Sequence, residues 1–317
     1  MPSKPPPQSS QLPAQLQSLK LLTMSGVRDY ALLDSGAGRK LERYGKFVFE
    51  RPEPQALWQP RLSATQWEQA DATFKSDQDE DGEGGRWRWS NPLPETWPMQ
   101  VMDVTMLCRL MSFRHLGIFP EQVPHWQWMV DHLKSVKAER PRVLNLFAYT
   151  GAASLIAARA GAEVTHVDAS KKAIGWAKEN QAASKLTDAP IRWILDDAKK
   201  FVAREVRRGR TYHMILVDPP KFGRGPDGEV WDFFTDIAPL LRDCAALLAA
   251  EQSALILTSY AIRASAVAID GLLRETVSQR GGRIETGELA ISEEGSTRLL
   301  PTSLYTRWSA GTGGKLS

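Results

Sequence analysis

The densest chemical signal in the chain is Asp218-Pro-Pro-Lys-Phe222, which follows the apolar run Met214–Val217. A carboxylate stands where a strand leaves a sheet, and two prolines, each with φ fixed near about −65°, stiffen the backbone behind it. Asp218 and the Pro219 carbonyl are thereby presented as rigid acceptors, with Pro220 holding the exit of the chain. An amino nitrogen donating to both has its lone pair aimed in one direction. Phe222 can stack on a planar ring. This is a device for orienting an amine nucleophile; the alternative is a proline-stiffened loop without chemistry.

A second set of residues describes a nucleoside pocket. The run Val143-Leu-Asn-Leu-Phe-Ala-Tyr-Thr-Gly-Ala-Ala-Ser154 passes from strand to helix through one glycine, Gly151, and a second run, Val164-Thr-His-Val-Asp168, ends on a carboxylate. In an open parallel sheet the turn approaches the ligand and the acid takes ribose hydroxyls. A dinucleotide site requires G-x-G-x-x-G against its pyrophosphate. Thr150-Gly-Ala-Ala-Ser154 has one glycine and no basic residue, so the ligand is a nucleoside without phosphates, of which S-adenosylmethionine is the common one. Asp168 otherwise reads as a turn aspartate or cap of the following helix. Asp197, in Asp196-Asp-Ala198, is placed to accept from an adenine amino group or to cap the helix beginning near Lys199.

Other features carry more than one reading. His125 and Trp126 either close over the cofactor or pack a helix start. Lys199, Lys200, Arg204, Arg207, Arg208 and Arg210 form a basic helix, suited to RNA phosphates or to a solvated face. Asp77, Asp79 and Asp81 have partial calcium-loop spacing without the bidentate Glu, which favours a solvated acidic hairpin loop over 76–85. The two cysteines, Cys108 and Cys244, share no metal or disulfide spacing, fit buried thiols in a reducing compartment, and no metal site is expected. Composition is that of a globular protein, 42% hydrophobic and 24% charged, with net charge +3, which only weakly favours a polyanion. No apolar run approaches the roughly 20 residues of a membrane span, and the Pro/Gln/Ser-rich start lacks the order of a secretory signal, so a cytoplasmic protein without a membrane partner is expected.

Regular alternation must position these residues. Strands are predicted at Val143–Phe147, Glu163–Val167, Ile191–Leu195, Met214–Val217 and Ala254–Ser259. Helices are predicted at Ala152–Ala160, Lys171–Ser184, Lys199–Arg208 and Trp231–Ala249, then Ser265–Gln279. This is a parallel sheet covered on both faces. Arg283–Ile291 and Ser303–Trp308 should pair as an antiparallel hairpin at its edge. Upstream, Lys46–Arg51 and Trp97–Met106 read as strands, and a helix ends near Lys137. The chain divides into a disordered tail (1–17), a β-rich, Trp-containing N-terminal domain (18–110), a connecting segment contributing to the cofactor site (111–140) and the α/β domain (141–317).

Asn145-Leu-Phe-Ala-Tyr-Thr-Gly151, Val167-Asp-Ala-Ser170 and Val217-Asp-Pro-Pro-Lys-Phe222 together resemble the bacterial 23S ribosomal RNA large-subunit methyltransferases, over about residues 110–260. Gly117-Ile-Phe-Pro-Glu-Gln122 is similar to that family's Gly-x-Phe/Tyr-Leu-Asp-Gln segment. The resemblance implies a Rossmann-like seven-stranded methyltransferase sheet, here with an N-terminal β-rich extension. It also implies S-adenosylmethionine as cofactor and contacts to it from Phe119, Gln122, Tyr149, Thr150, Gly151, Asp168 and Asp197, with Ala169 and Ala198 beside the two acids. The acceptor base would lie near Asp218, Pro219, Pro220 and Phe222, in ribosomal RNA. The chain departs from members that methylate cytosine C5 through a cysteine nucleophile, because Thr258-Ser-Tyr260 stands where they carry Ser-Cys-Ser. The family's small RNA-binding domain is not recognisable in residues 1–110, and Pro120-Glu121 replaces Leu-Asp. The function expected is direct methylation of an exocyclic amine in ribosomal RNA. The alternatives are a methyltransferase for a small molecule or protein, or an inactive RNA-binding relative.

Overall fold

A computed structural model describes residues 19–24, 26–76, 84–260 and 262–310. The expected tail over 1–17 and the acids Asp77, Asp79 and Asp81 lie outside the described residues. The chain opens with β1 (Lys20–Met24), β2 (Tyr30–Gly36), β3 (Arg39–Tyr44), β4 (Phe47–Pro52), α1 (Ala64–Trp67), β5 (Ala72–Ser76) and β6 (Gly85–Trp89), followed by β7 (Trp97–Val101) and β8 (Val104–Cys108). After a 3-10 turn at Pro120–Gln122 come α2 (Val123–Ser135), β9 (Arg142–Leu146), α3 (Ala152–Arg159), β10 (Glu163–Asp168), α4 (Lys171–Ala183), β11 (Ile191–Leu195) and α5 (Ala198–Arg207). The remainder is β12 (Met214–Val217), β13 (Phe222–Arg224), β14 (Val230–Asp232), α6 (Phe233–Leu247), β15 (Ala254–Tyr260), α7 (Ala266–Thr276), β16 (Arg283–Ser292) and β17 (Leu299–Ser309).

The main sheet runs β1-β16-β17-β15-β12-β9-β10-β11. The segment β15-β12-β9-β10-β11 is parallel, and β17 lies antiparallel to both β15 and β16. All seven expected strands are present, and β1 pairs in parallel with β16 as an eighth, so the C-terminal hairpin does not form the edge. The central strands Met-Ile-Leu-Val of β12 and Val-Leu-Asn-Leu within β9 are buried on both faces, as helices on either side require. One apolar core joins α2, α3 and the N-terminal unit; a second joins α5, α6 and α7. After α3 and α4 build outward to β11, α5 returns the chain to the opposite flank of β9. That reversal opens a crevice at the carboxyl ends of β9 and β12.

Two predicted elements differ in detail. Trp97–Met106 is a hairpin rather than one strand, because Met102 takes φ 50° and reverses the chain. The helix expected from Trp231 starts at Phe233, because the extended Asp232 caps it, accepting from the Thr235 N–H. Trp231 is left on β14, paired with Gly223 of β13.

The N-terminal unit is the five-stranded sheet β2-β3-β4-β5-β6 with the β7–β8 hairpin. Trp67, Trp87 and Trp97 are buried, so the tryptophan content here is largely core. The hairpin docks on α4 through polar bonds. Leu107 N–H donates to Asn180 Oδ1 (2.8 Å), Thr105 N–H donates to Ser184 Oγ (3.0 Å), and Trp176 Nε1 donates to the Leu107 carbonyl (2.6 Å).

Candidate active site

A cavity of about 620 Å³ opens over the carboxyl ends of β9, β10, β12 and β15, walled from above by residues 114–126. Twelve of the predicted site residues line it: Phe119, Gln122, Tyr149, Thr150, Gly151, Asp168, Ala169, Asp197, Ala198, Asp218, Pro219 and Pro220. Phe222 does not. In the β13–β14 hairpin, Gly223, Arg224 and Trp231 line the cavity, while Phe222 is 53% exposed, with the Lys221 ammonium over its ring. Trp231 takes the inner position, its Nε1 donating to the Pro220 carbonyl (2.7 Å) and its ring against Phe147 (centroids 4.9 Å).

The turn after β9 is held in an uncommon conformation. Phe147 (φ 55°) and Tyr149 (φ 49°) are both left-handed, and Gly151 (φ 86°) caps α3 from the same region. Left-handed non-glycine residues cost on the order of 1–3 kcal/mol each and persist where surrounding contacts over-determine them. Asp168 is one such contact: its Oδ2 accepts from Tyr149 N–H (2.8 Å) and its Oδ1 from Ser170 N–H (2.8 Å). Burial raises this carboxyl above the usual range, against the pull of those two N–H groups. Beneath the turn, Asn145 Nδ2 donates to Ser154 Oγ (3.0 Å), which meets His166 Nδ1 (3.0 Å).

Asp197 is buried, and its Oδ1 accepts from Lys200 N–H (2.9 Å) as the cap of α5. Oδ2 makes no hydrogen bond to a described residue, so capping and a role in the cavity coexist. Gln122, expected at the cofactor, lines the cavity and donates from Nε2 to Asp218 Oδ2 (3.1 Å). Desolvation by the surrounding protein pushes the Asp218 carboxyl up to about 7. Next to Gln122, buried Glu121 is likewise pushed up to about 7 and accepts from the Tyr260 hydroxyl.

Sequence reasoning missed Arg114, His115, Trp231 and Tyr260, all in the lining. Tyr260 was findable as the residue ending a strand beside Asp218; the other three depend on tertiary docking. Arg51, buried in the N-terminal unit, donates to the Arg114 carbonyl (2.9 Å) and holds that segment over the cavity. His125 and Trp126 line the cavity and are also core: burial pushes His125 down to about 3, and its ring packs on Tyr305. The basic helix is mostly neutralised, with Lys199 on Asp236, Lys200 on Glu229, Arg204 on Asp196 and Arg208 on Glu205. Neither cysteine lines the cavity; both are buried elsewhere. Among the described residues no cluster of His, Cys, Asp and Glu is placed to hold a metal, and no helix is long and apolar enough to cross a membrane.

A cavity of this size, with Asp168 and Asp197 to accept from hydroxyl or amino donors and no cation in its glycine turn, suits a nucleoside rather than a nucleotide. The family described as conserved hypothetical protein 95 matches residues 127–227. The ribosomal RNA large subunit methyltransferase K/L of Hahella chejuensis is 35% identical over 142 residues, 44% of this chain and 18% of the relative. That of Shewanella frigidimarina is 40% identical over 114 residues, 35% of this chain and 16% of the relative. The chain thus spans under a quarter of the length of these curated relatives. A structure described as a SAM-dependent methyltransferase from Streptococcus mutans shares the fold at 17% identity and a TM-score of 0.68, covering 90% of this chain and 76% of its own. The SAM-dependent methyltransferase from Agrobacterium tumefaciens is 50% identical with a TM-score of 0.88, covering 92% of this chain and 94% of its own. Likeness at that identity over nearly the whole of both chains, with a nucleoside-sized crevice at the sheet reversal, places the family: the chain belongs to the SAM-dependent methyltransferases.

Proposed function

We propose that the chain methylates an exocyclic amine of a base in ribosomal RNA. The observation that carries this reading is Asp218. It is a desolvated carboxylate at the end of β12, steadied by the Gln122 amide on one side and by two prolines on the other. Such a group accepts from an amine N–H and turns the nitrogen lone pair toward the methyl donor. When bound, the cofactor supplies an activated methyl group on a sulfonium, which is a good leaving group, so alignment provides most of the rate. Asp168 and Asp197 would hold its ribose and adenine, and Tyr149, Thr150 and Gly151 would wall it. The distance of both cysteines from the cavity argues against covalent attack on a pyrimidine ring carbon.

The RNA acceptor is supported by the names of the curated relatives and by the rim. Phe222 is exposed beside Lys221 and Arg224, suited to stacking a base that flanks the target. A base in a duplex would have to be flipped out. Methyl transfer is assigned to residues 141–317, with 111–140 closing the site and 18–110 bracing that closure, in a cytoplasmic enzyme. The pairing of the α5 cations with acids favours a second reading, a methyltransferase for a small molecule or protein, because it removes the expected phosphate track.

The test is transfer of labelled methyl from S-adenosylmethionine into total RNA, protein and metabolites of a strain lacking the gene, with Asp218→Ala as control. Label in large-subunit RNA, absent with the variant, is the expected result. Label confined to protein or small molecules would move the function to the second reading.

A further inference from the structure

We propose that Phe119, Tyr149 and Tyr260 form an aromatic collar that recognises the positive charge of the cofactor's sulfonium and so favours the charged methyl donor over its neutral, demethylated product. The inference rests on the cofactor of the family and is independent of the RNA reading.

The three residues come from three separate parts of the chain: the approach to α2, the turn after β9 and the end of β15. All line the one cavity, with the Phe119 centroid 5.7 Å from that of Tyr149 and 5.7 Å from that of Tyr260. Each is fixed independently. Tyr149 is held left-handed by its N–H bond to Asp168. Tyr260 is tied through its hydroxyl to buried Glu121. Phe119 packs on His115 (centroids 4.9 Å). Desolvation holds His115 well below its ordinary range, hence neutral, so it sets no like charge against a cation.

Apolar contact alone does not call for three converging rings; aliphatic side chains would fill the same wall. Aromatic faces add a negative quadrupole potential, which a cation within about 6 Å of a ring centroid senses and a neutral thioether does not. Each acid of the cavity already has a partner, Asp168 two N–H groups, Asp196 the Arg204 guanidinium, Asp197 a helix-cap N–H and Asp218 the Gln122 amide, and the acceptor sites left on Asp168, Asp197 and Asp218 are assigned above to ribose, adenine and the acceptor amine rather than to the sulfonium. Arg114 and Arg224 also line the cavity and would by themselves disfavour a cationic ligand. The ring faces oppose that repulsion. Discrimination between donor and product would limit product inhibition without altering the rest of the nucleoside site.

The charge can be isolated by titration calorimetry, because S-adenosylmethionine and S-adenosylhomocysteine differ only in the methyl group and its charge. Phe119→Leu keeps apolar bulk and removes a ring face. Its preference for S-adenosylmethionine over S-adenosylhomocysteine should fall about tenfold relative to the unaltered protein, while affinity for S-adenosylhomocysteine changes little. Sinefungin, which carries an amine cation in place of the sulfonium, should follow S-adenosylmethionine. Tyr149→Leu is the second ring-removing variant should Phe119→Leu unfold. Equal losses for charged and neutral ligands in the ring-removing variants would overturn the collar. An unaltered protein that binds neither ligand would overturn the cofactor assignment and the collar with it.

Discussion

Asp218 and Asp168 are both carboxylates at strand ends, yet their surroundings give them different work. Among the described residues Asp218 has one hydrogen-bond partner, the Gln122 amide, and it is pushed up to about 7 by desolvation. Only its ionised form accepts on both oxygens, one from the Gln122 amide and one from the acceptor amine, so methyl transfer should rise with pH through about 7 and be lost as the carboxyl protonates below it. Asp218→Asn should flatten that limb and cut turnover on the order of 10²-fold, with cofactor affinity little changed; equal losses in turnover and cofactor binding would refute the acceptor role. Asp168 instead spends an acceptor site of each oxygen on a backbone N–H, and so holds the left-handed Tyr149 in place. Asp168→Ala should weaken cofactor binding about tenfold or more and also lower the melting temperature. Unchanged calorimetric affinity would remove it from the nucleoside site. At this scale much of the pocket was legible, because the glycine, acids and prolines all stand at the carboxyl ends of strands that one parallel sheet brings to a single crevice. Phe222 falls outside the cavity lining, at a place set by the β13–β14 pairing, which local sequence does not reveal, and Trp231 was hidden because a run before a helix and a short strand look alike until the Asp232 cap is known.

The strands and helices of the α/β half follow from apolar periodicity, and the structure reproduces their order with shifts of a residue or two at most boundaries. The exceptions arise where local sequence underdetermines partners. Lys20–Met24 has no signal announcing that it will join a sheet whose other strands begin more than a hundred residues later. Its acceptance depends on Gly287 of β16: a Cβ there would lie 1.7 Å from the Lys20 carbonyl oxygen. Gly287→Ala should therefore force β1 off the edge, costing about 1–3 kcal/mol as overpacking against backbone that cannot yield. Hydrogen exchange should show loss of protection in 20–24 while α3 and β9 stay protected. Retained protection in β1 would mean that the edge accommodates the methyl group.

Across the whole molecule, the N-terminal unit and the α/β half cannot be separated at residue 110 without exposing polar groups that the interface satisfies. β1 closes one edge of the main sheet. Asn180 and Ser184 of α4 are spent on the β8 backbone, and Trp176 donates to the Leu107 carbonyl. Arg51, buried against Glu42, fastens the Arg114 carbonyl over the cavity. Removing the first 110 residues leaves an uncovered β16 edge, a standing invitation to strand pairing between chains, together with unpaired buried donors and acceptors that cost about 1–3 kcal/mol each. A fragment of residues 111–317 should accordingly aggregate, or fail to show the cooperative unfolding and cofactor affinity of the full chain. Arg51→Met in the full chain asks a narrower question. Breaking a buried pair costs about 3–5 kcal/mol, so the melting temperature should drop, and because the Arg114–Gln122 segment carries both Phe119 and the amide that steadies Asp218, cofactor affinity and turnover should fall with it. A fragment that folds cooperatively and binds S-adenosylmethionine at full strength would show instead that the N-terminal unit is an independent module whose contribution lies in the acceptor alone.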